Sequence, residues 1–286
     1  MGTSNVSDQP QAQQVSLEAN SPFALRVNLG RGVAESDVRT ALATGDMGFL
    51  HSFTTGSAVD GPGIRLVAWT SGCLWRCLYC HNPDTWSMSN GIPVTLARAT
   101  EELGKYRHGV KLMSGGFTLS GGEPLMQYRV AVKLFAAAQA MGIHTALDTN
   151  GYLGDRLTDA DLDKIDLVLL DIKAWNAERH RHLTGMEIGP VLDFARRLPC
   201  RRKPVWLRFV LVPGVTDNPE EIDRIASFAA GLGNVERVDV LPFHQMGRYK
   251  WKELGLNYTL DQIQPPSTEA VERACAQFRA AGLIAF

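Results

Sequence analysis

Three cysteines within eight residues, Cys73, Cys77 and Cys80, form the densest concentration of chemistry in the sequence. Their spacing is Cys-X-X-X-Cys-X-X-Cys, and thiolates at that density suit a soft metal centre. Zinc needs a fourth ligand to close a structural tetrahedron. His81 is the immediate neighbour of Cys80, and adjacent residues seldom chelate one ion well. The other two cysteines read differently: Cys200 as a loop residue after a helix, and Cys275 on a helix face with Val271 and Phe278, where packing is the expected role. An iron–sulfur cube uses the set better. Three cysteines hold three irons, and the fourth iron is left open to a substrate or cofactor.

A loop of this kind needs a frame. Short β-branched or alternating runs predict strands over Ile64–Thr70, Phe117–Ser120, Ile143–Thr149, Leu167–Lys173, Val205–Val212 and Val235–Pro242. Helical patterns lie between them. Val130, Leu134, Ala138 and Met141 share one face, and so do Ile222, Ile225, Ala226, Ala229 and Leu232. Asn218, Pro219 and Glu221 spell a helix start, and Ser267 begins another helix that ends near Gly282. Strands alternating with helices imply βαβ units and a parallel sheet. The expected fold is α/β: an open, partial parallel β/α barrel of about six βα units, with a doubly wound sheet as runner-up. The chemically unusual residues follow the strands, where ligands bind in α/β folds.

Composition sets the outer limits. The chain has 286 residues, 45% hydrophobic and 21% charged, and a formal net charge of −1. No global field favours nucleic acid or an anionic membrane. No run approaches a transmembrane span, and the first residues lack the pattern of a secretory signal. An odd number of cysteines argues against a disulfide framework, so a reducing, cytoplasmic setting is expected. Residues 1–46 are rich in Gln, Ser, Asn, Gly and Ala, with Phe23 the only aromatic, and are expected to be a disordered extension before one domain over 47–286. The basic run Arg196, Arg197, Arg201, Arg202 and Lys203 reads as a solvated patch.

Several motifs occur together. Ser120-Gly121-Gly122-Glu123-Pro124 follows the second predicted strand. Asp60-Gly61-Pro62-Gly63-Ile64-Arg65 precedes the first, and Tyr79-Cys80-His81-Asn82 closes the cysteine loop. Asp148-Thr149-Asn150-Gly151, Asp171-Ile172-Lys173, and the stretch from Leu241-Pro242-Phe243-His244 through Lys250-Trp251 complete the set. With the cysteine motif they resemble the radical S-adenosylmethionine superfamily, and within it the pyruvate formate-lyase activase family, over roughly residues 47–286.

The resemblance implies a 4Fe–4S cluster on Cys73, Cys77 and Cys80 and S-adenosylmethionine as cofactor. It implies cleavage of the sulfonium to methionine and a 5′-deoxyadenosyl radical, which takes the α-hydrogen of a glycine in pyruvate formate-lyase. Electrons would come from reduced flavodoxin or ferredoxin. Cofactor contacts are implied for Tyr79, Cys80, His81, Gly121, Gly122, Glu123, Asp171, Ile172, Lys173, Arg208 and His244. A monovalent cation, Na+ or K+, is implied at Asp148 and Thr149 with the backbone carbonyl near Leu169. Glu123 has a second reading as a helix-terminus partner, and Arg208 one as contact for the incoming glycine loop. Asp60 and the glycines after it look like the peptide entrance. An enzyme that docks on a large partner is expected to be a monomer. Two other readings stay open: an activase for a different glycyl-radical enzyme, and a zinc-stabilised binding protein. Residues 81–120 hold no cysteine, whereas many other activases carry extra clusters there.

Overall fold

The computed structural model describes residues 35–286. One eight-stranded sheet runs in the order β3-β1-β2-β4-β5-β6-β7-β8. Its strands are β1 (Met47–Ser57), β2 (Arg65–Thr70), β3 (Ile92–Thr95), β4 (Gly116–Gly121), β5 (His144–Thr149), β6 (Leu167–Asp171), β7 (Val205–Leu211) and β8 (Val235–Pro242). The six from β2 and β4 to β8 pair in parallel. These are the six strands expected from the sequence. β1 and β3 add an antiparallel edge that the sequence reading did not contain. The sheet ends at β3 and β8, so the barrel is open, as expected.

The helices are α1 (Glu35–Thr44), α2 (Leu96–Leu112), α3 (Tyr128–Ala140), α4 (Asp159–Leu162), α5 (Ala177–Thr184), α6 (Gly189–Arg197), α7 (Pro219–Leu232), α8 (Arg248–Glu253) and α9 (Thr268–Ala280). The caps read from the sequence are in place: Asn218 accepts from Glu221 N at the start of α7, and Ser267 from Ala270 N at the start of α9. α1 falls inside the stretch expected to be an extension. It packs on β1 and α3, and Asp46 just after it pairs with Lys133 at 2.6 Å. The remainder of that stretch, residues 1–34, lies outside the described residues.

Side chains alternate along each strand between two faces. Leu66, Ala68, Phe117, Leu119, Leu147, Val168, Leu170, Leu207 and Phe209 point to the helices and form the main core. Each buried Val, Leu or Phe among them contributes roughly 1.5–3 kcal/mol. The opposite, concave face is mixed. Ala146, Leu167 and Leu169 make a small apolar floor against Trp206. At the start of the strands this face carries Arg65 and His144, and at their C-terminal ends Ser120, Asp148, Asp171 and Arg208. The sheet therefore delivers Asp148, Asp171 and Arg208 to one rim. Among the described residues no helix is long and apolar enough to cross a membrane.

Candidate active site

The cysteine loop leaves the end of β2 and is held on both sides by backbone hydrogen bonds. Gly72 N donates to Thr85 O at 2.7 Å and Cys73 N to Trp86 O at 3.1 Å. Arg76 N and Leu78 N donate to Thr184 O and Leu183 O at the end of α5. These helix-end carbonyls have no intrahelical partner, so the loop satisfies them. Trp75 is buried beneath the loop, edge-on to His180 with ring centroids 5.1 Å apart.

The glycines after β4 form a shelf under this loop. Gly121 has φ +125°, and a Cβ there would lie 2.1 Å from Thr70 N. A Cβ on Gly122 would lie 2.5 Å from Gly72 O. Only glycine permits such an approach. Glu123 N donates to Gly72 O, which locks shelf and loop together.

Cys73, Cys77 and Cys80 line one cavity of about 460 Å³, together with Tyr79, His81, Gly121, Gly122, Asp171, Lys173, Arg208 and His244. That volume suits an organic cofactor. Burial pushes the Cys73 thiol up to about 12, and it raises Cys77 and Cys80 as well. Hydrogen bonds from the Asn82 backbone and the Trp86 indole pull Cys80 back in part. Buried thiols of this kind become thiolates when cationic metal neutralises them. Lys173 Nζ sits 2.9 Å from Asp171 Oδ1 and 5.5 Å from the Tyr79 ring centre. Burial works against its charge, yet Asp171 holds the ammonium well above its ordinary value. His81 and His244 stack at the rim with ring centroids 3.9 Å apart.

Arg208 ties the wall to the entrance. It donates to Asp148 Oδ2 at 3.0 Å, to Asp60 Oδ1 at 3.3 Å and to Val59 O at 3.1 Å. Burial opposes the guanidinium charge, but Asp148, Asp171 and Asp60 outweigh it and raise its pKa. Its Nε, the Tyr79 hydroxyl and the Trp75 indole nitrogen are buried with no hydrogen-bond partner. Unpaired buried donors are uncommon in folded proteins, and two of these three belong to residues expected to touch a cofactor. Val59 and Asp60 line the same cavity, and Val59 is 69% exposed, so the loop before β2 forms its mouth.

Three expected contacts lie elsewhere. Glu123 is outside the cavity lining and spends its carboxylate on the frame, accepting from Leu125 N, Thr149 Oγ1 and Asn150 N. Its reading as a helix-terminus partner fits that arrangement, because it caps the turn Pro124–Gln127. Ile172 and Leu169 are fully buried away from the lining. The cation expected at Asp148, Thr149 and Leu169 lacks a gathered oxygen set. Asp148 is engaged by Arg208 and Ser120, and Thr149 donates to Glu123. Among the described residues no three His, Cys, Asp or Glu side chains converge for a single metal ion. A cube spreads its iron corners, so a three-cysteine loop around a cavity fits it, whereas a mononuclear zinc site needs four ligands on one point.

The structure also brings in residues the sequence reading did not single out. Trp69, Thr85 and Trp86 line the cavity. Trp86 lies six residues past Cys80 in Asp84-Thr85-Trp86, a position marked only by tryptophan's rarity. Cys200 is exposed and Cys275 buried, and both are outside the lining. In the basic run, Arg196, Arg197 and Arg201 pair with Asp193, Asp159 and Asp163.

Residues 67–229 match the model of the radical SAM superfamily. The pyruvate formate-lyase 1-activating enzyme of Escherichia coli K12 is 42% identical over 229 residues, covering 79% of this chain and 93% of that protein. The pyruvate formate-lyase-activating enzyme of Staphylococcus epidermidis is 43% identical over 234 residues, covering 79% and 93%. Among solved structures, a domain of pyruvate-formate lyase-activating enzyme from Bacteroides vulgatus superposes with a TM-score of 0.51 at 26% identity, covering 60% of this chain and 98% of that one. Streptococcus suis SuiB bound to its precursor peptide SuiA shares the fold, with a TM-score of 0.58 at 15% identity over 78% of this chain and 48% of that one. A three-cysteine loop over a glycine shelf, at the open end of a partial barrel, thus occurs in a chain that belongs to the radical S-adenosylmethionine superfamily and is a close homologue of the pyruvate formate-lyase activating enzymes.

Proposed function

We propose that this chain activates a pyruvate formate-lyase by creating a glycyl radical on it. One observation carries the reading. A single cavity wall presents the three cysteines, the Gly121–Gly122 shelf and the Asp171–Lys173 pair, and its mouth is the loop at Val59–Asp60. The chemistry supplied by a bound 4Fe–4S cluster and S-adenosylmethionine is one-electron cleavage of the sulfonium, ending in removal of a hydrogen atom from the partner's glycine.

The chain's own residues bind, orient and exclude water. Cys73, Cys77 and Cys80 hold the cluster as thiolates. The backbone at Gly121 and Gly122, which lines the cavity, receives the cofactor's amine. Lys173 offers a permanent positive charge to a carboxylate, and Asp171 fixes its position from 2.9 Å away. The His81–His244 stack and Tyr79 give flat surfaces for the adenine. Arg208 lines the cavity beside the entrance, where Asp148 and Asp60 hold its guanidinium to meet an acceptor on the incoming glycine segment. A reduced flavodoxin or ferredoxin supplies the electron. The absence of cysteine from residues 81–120 supports the pyruvate formate-lyase type of activase.

The test is anaerobic. Reduced protein is mixed with S-adenosylmethionine and the pyruvate formate-lyase of the same organism, and the glycyl radical doublet is sought by electron spin resonance. The doublet is expected in stoichiometric yield with intact pyruvate formate-lyase. A doublet that forms only on a different glycyl-radical enzyme would replace the partner.

A further inference from the structure

The cysteine loop is gripped at its third ligand by residues far away in sequence. Trp251, on α8, donates its indole N–H to Cys80 O at 2.8 Å and is almost fully buried. Its ring meets Trp86 edge-on, with centroids 5.2 Å apart and planes at 85°. Trp86 in turn lines the same cavity as Cys80. The guanidinium of Arg76 lies over the Trp86 ring at 4.8 Å.

α8 is itself pinned to the same loop. Lys250 Nζ reaches Asn82 Oδ1 and Asp84 Oδ2, each at 2.9 Å, and His51 on β1 joins from the other side at 2.9 Å from Asp84 Oδ2. Burial alone would raise Asp84, but His51 and Lys250 outweigh it and hold the carboxyl at about 2. Just before α8, Gly247 packs directly on His81: a Cβ there would lie 2.6 Å from His81 O. Two segments, β1 and the stretch from Gly247 to Trp251, thus converge on residues Cys80 to Asp84.

We propose that Trp86 and Trp251 are paired positioning residues for Cys80. Trp251 fixes the Cys80–His81 peptide plane through its hydrogen bond to Cys80 O, and the Trp86 ring packed on it forms the cavity wall beside that ligand. The inference rests on the cluster reading above and adds a role for the chain's C-terminal segment. The physical consequence is electrostatic. Reduction places extra negative charge on an iron–sulfur unit, and an N–H dipole held on the ligating residue's own carbonyl stabilises that charge and raises the reduction potential. Removing the N–H while keeping the ring leaves packing nearly intact and makes the cluster harder to reduce.

The experiment uses the full chain, reconstituted anaerobically with iron and sulfide. Wild type, Trp86→Phe, Trp251→Phe and Tyr258→Leu are compared by iron content, by redox titration followed through the electron spin resonance of the reduced cluster, and by melting temperature. Tyr258 is the control, since it packs on Trp251 at 5.2 Å. Trp251→Phe is expected to keep wild-type iron content, with a more negative midpoint potential and shifted g-values. Trp86→Phe is expected to move both in the same direction by a smaller amount. Tyr258→Leu is expected to melt earlier with an unchanged potential. If both phenylalanine variants match wild type in potential and g-values, or if Tyr258→Leu shifts them equally, the proposal is wrong. Wild type that binds no iron would instead remove the cluster reading on which it stands.

Discussion

The concave face of the sheet buries two arginines, and the two are held in opposite ways. Arg65, at the start of β2, is closed. Its guanidinium donates to Thr118 Oγ1 at 2.9 Å and Phe117 O at 2.7 Å, and reaches His144 Nδ1 at 3.0 Å. No carboxylate touches it, and burial lowers its pKa to about 10, against a partial pull upward from Asp166 and Asp60. Arg208, at the C-terminal ends of the strands, is gripped by Asp148 and Asp60 yet keeps Nε unpartnered. The first arrangement builds a floor, and Thr118 passes its hold on to Asp60 O at 2.6 Å, which supports the entrance loop from below. The second leaves a donor free beside a cavity. Burial of charge alone does not mark a functional residue; incomplete satisfaction at an open end does.

The contrast can be broken most forcefully at the open end. Cys77→Ala should reduce S-adenosylmethionine cleavage to background, measured as 5′-deoxyadenosine, while circular dichroism stays native. At the closed end the effect should be on folding. Arg65→Met leaves several buried acceptors without a donor and should cost about 3 kcal/mol or more in urea unfolding. A loss under about 1 kcal/mol would show that the floor does not depend on it.

Glu123 tests the seam between the two ends. Burial raises its carboxyl to about 7, against hydrogen bonds from Leu125, Thr149 and Asn150 and with a small push from Asp148. A folded-state value above the ordinary 4.5 means that the folded chain holds this proton more tightly than the unfolded one. Its contribution is complete below pH 4.5 and is lost as pH rises through 7. Relative to Glu123→Gln, wild type should therefore lose on the order of 3 kcal/mol between about pH 4.5 and 8. A difference that stays flat with pH would show that Glu123 is ionised throughout. The smallest effect belongs to Arg208→Lys, which keeps the charge and loses the fork. It should weaken cofactor or peptide binding about tenfold, equal to one charge-assisted hydrogen bond, with little change in melting.

Much of this frame was legible in the sequence because parallel strands buried by helices on one face leave short apolar runs. The strand ends at Thr70, Thr149 and Pro242 agree with the structure to the residue. β1 was not legible. Gly48, His51 and Gly56 interrupt its alternation, and register shifts break its pairing with β2. β3 is four residues long with a proline, which only an edge tolerates. α1 carries no strong apolar face and gains its place from contact with β1 and α3. At the site, the cysteine spacing and the glycine pair were readable because each meets a local demand. Glu123 and Trp251 stood out only within their motifs, because their partners are brought close by folding: Asn150 for the first, Cys80 for the second.

The central claim is that the buried thiols at the open end hold an iron–sulfur cube able to cleave S-adenosylmethionine. Anaerobic reconstitution, with iron and sulfide assayed per chain and 5′-deoxyadenosine measured after reduction, tests it most directly. About four irons and four sulfides, with 5′-deoxyadenosine formed only in the reduced sample, is the result expected. Colourless protein that retains one zinc and yields no 5′-deoxyadenosine would contradict it.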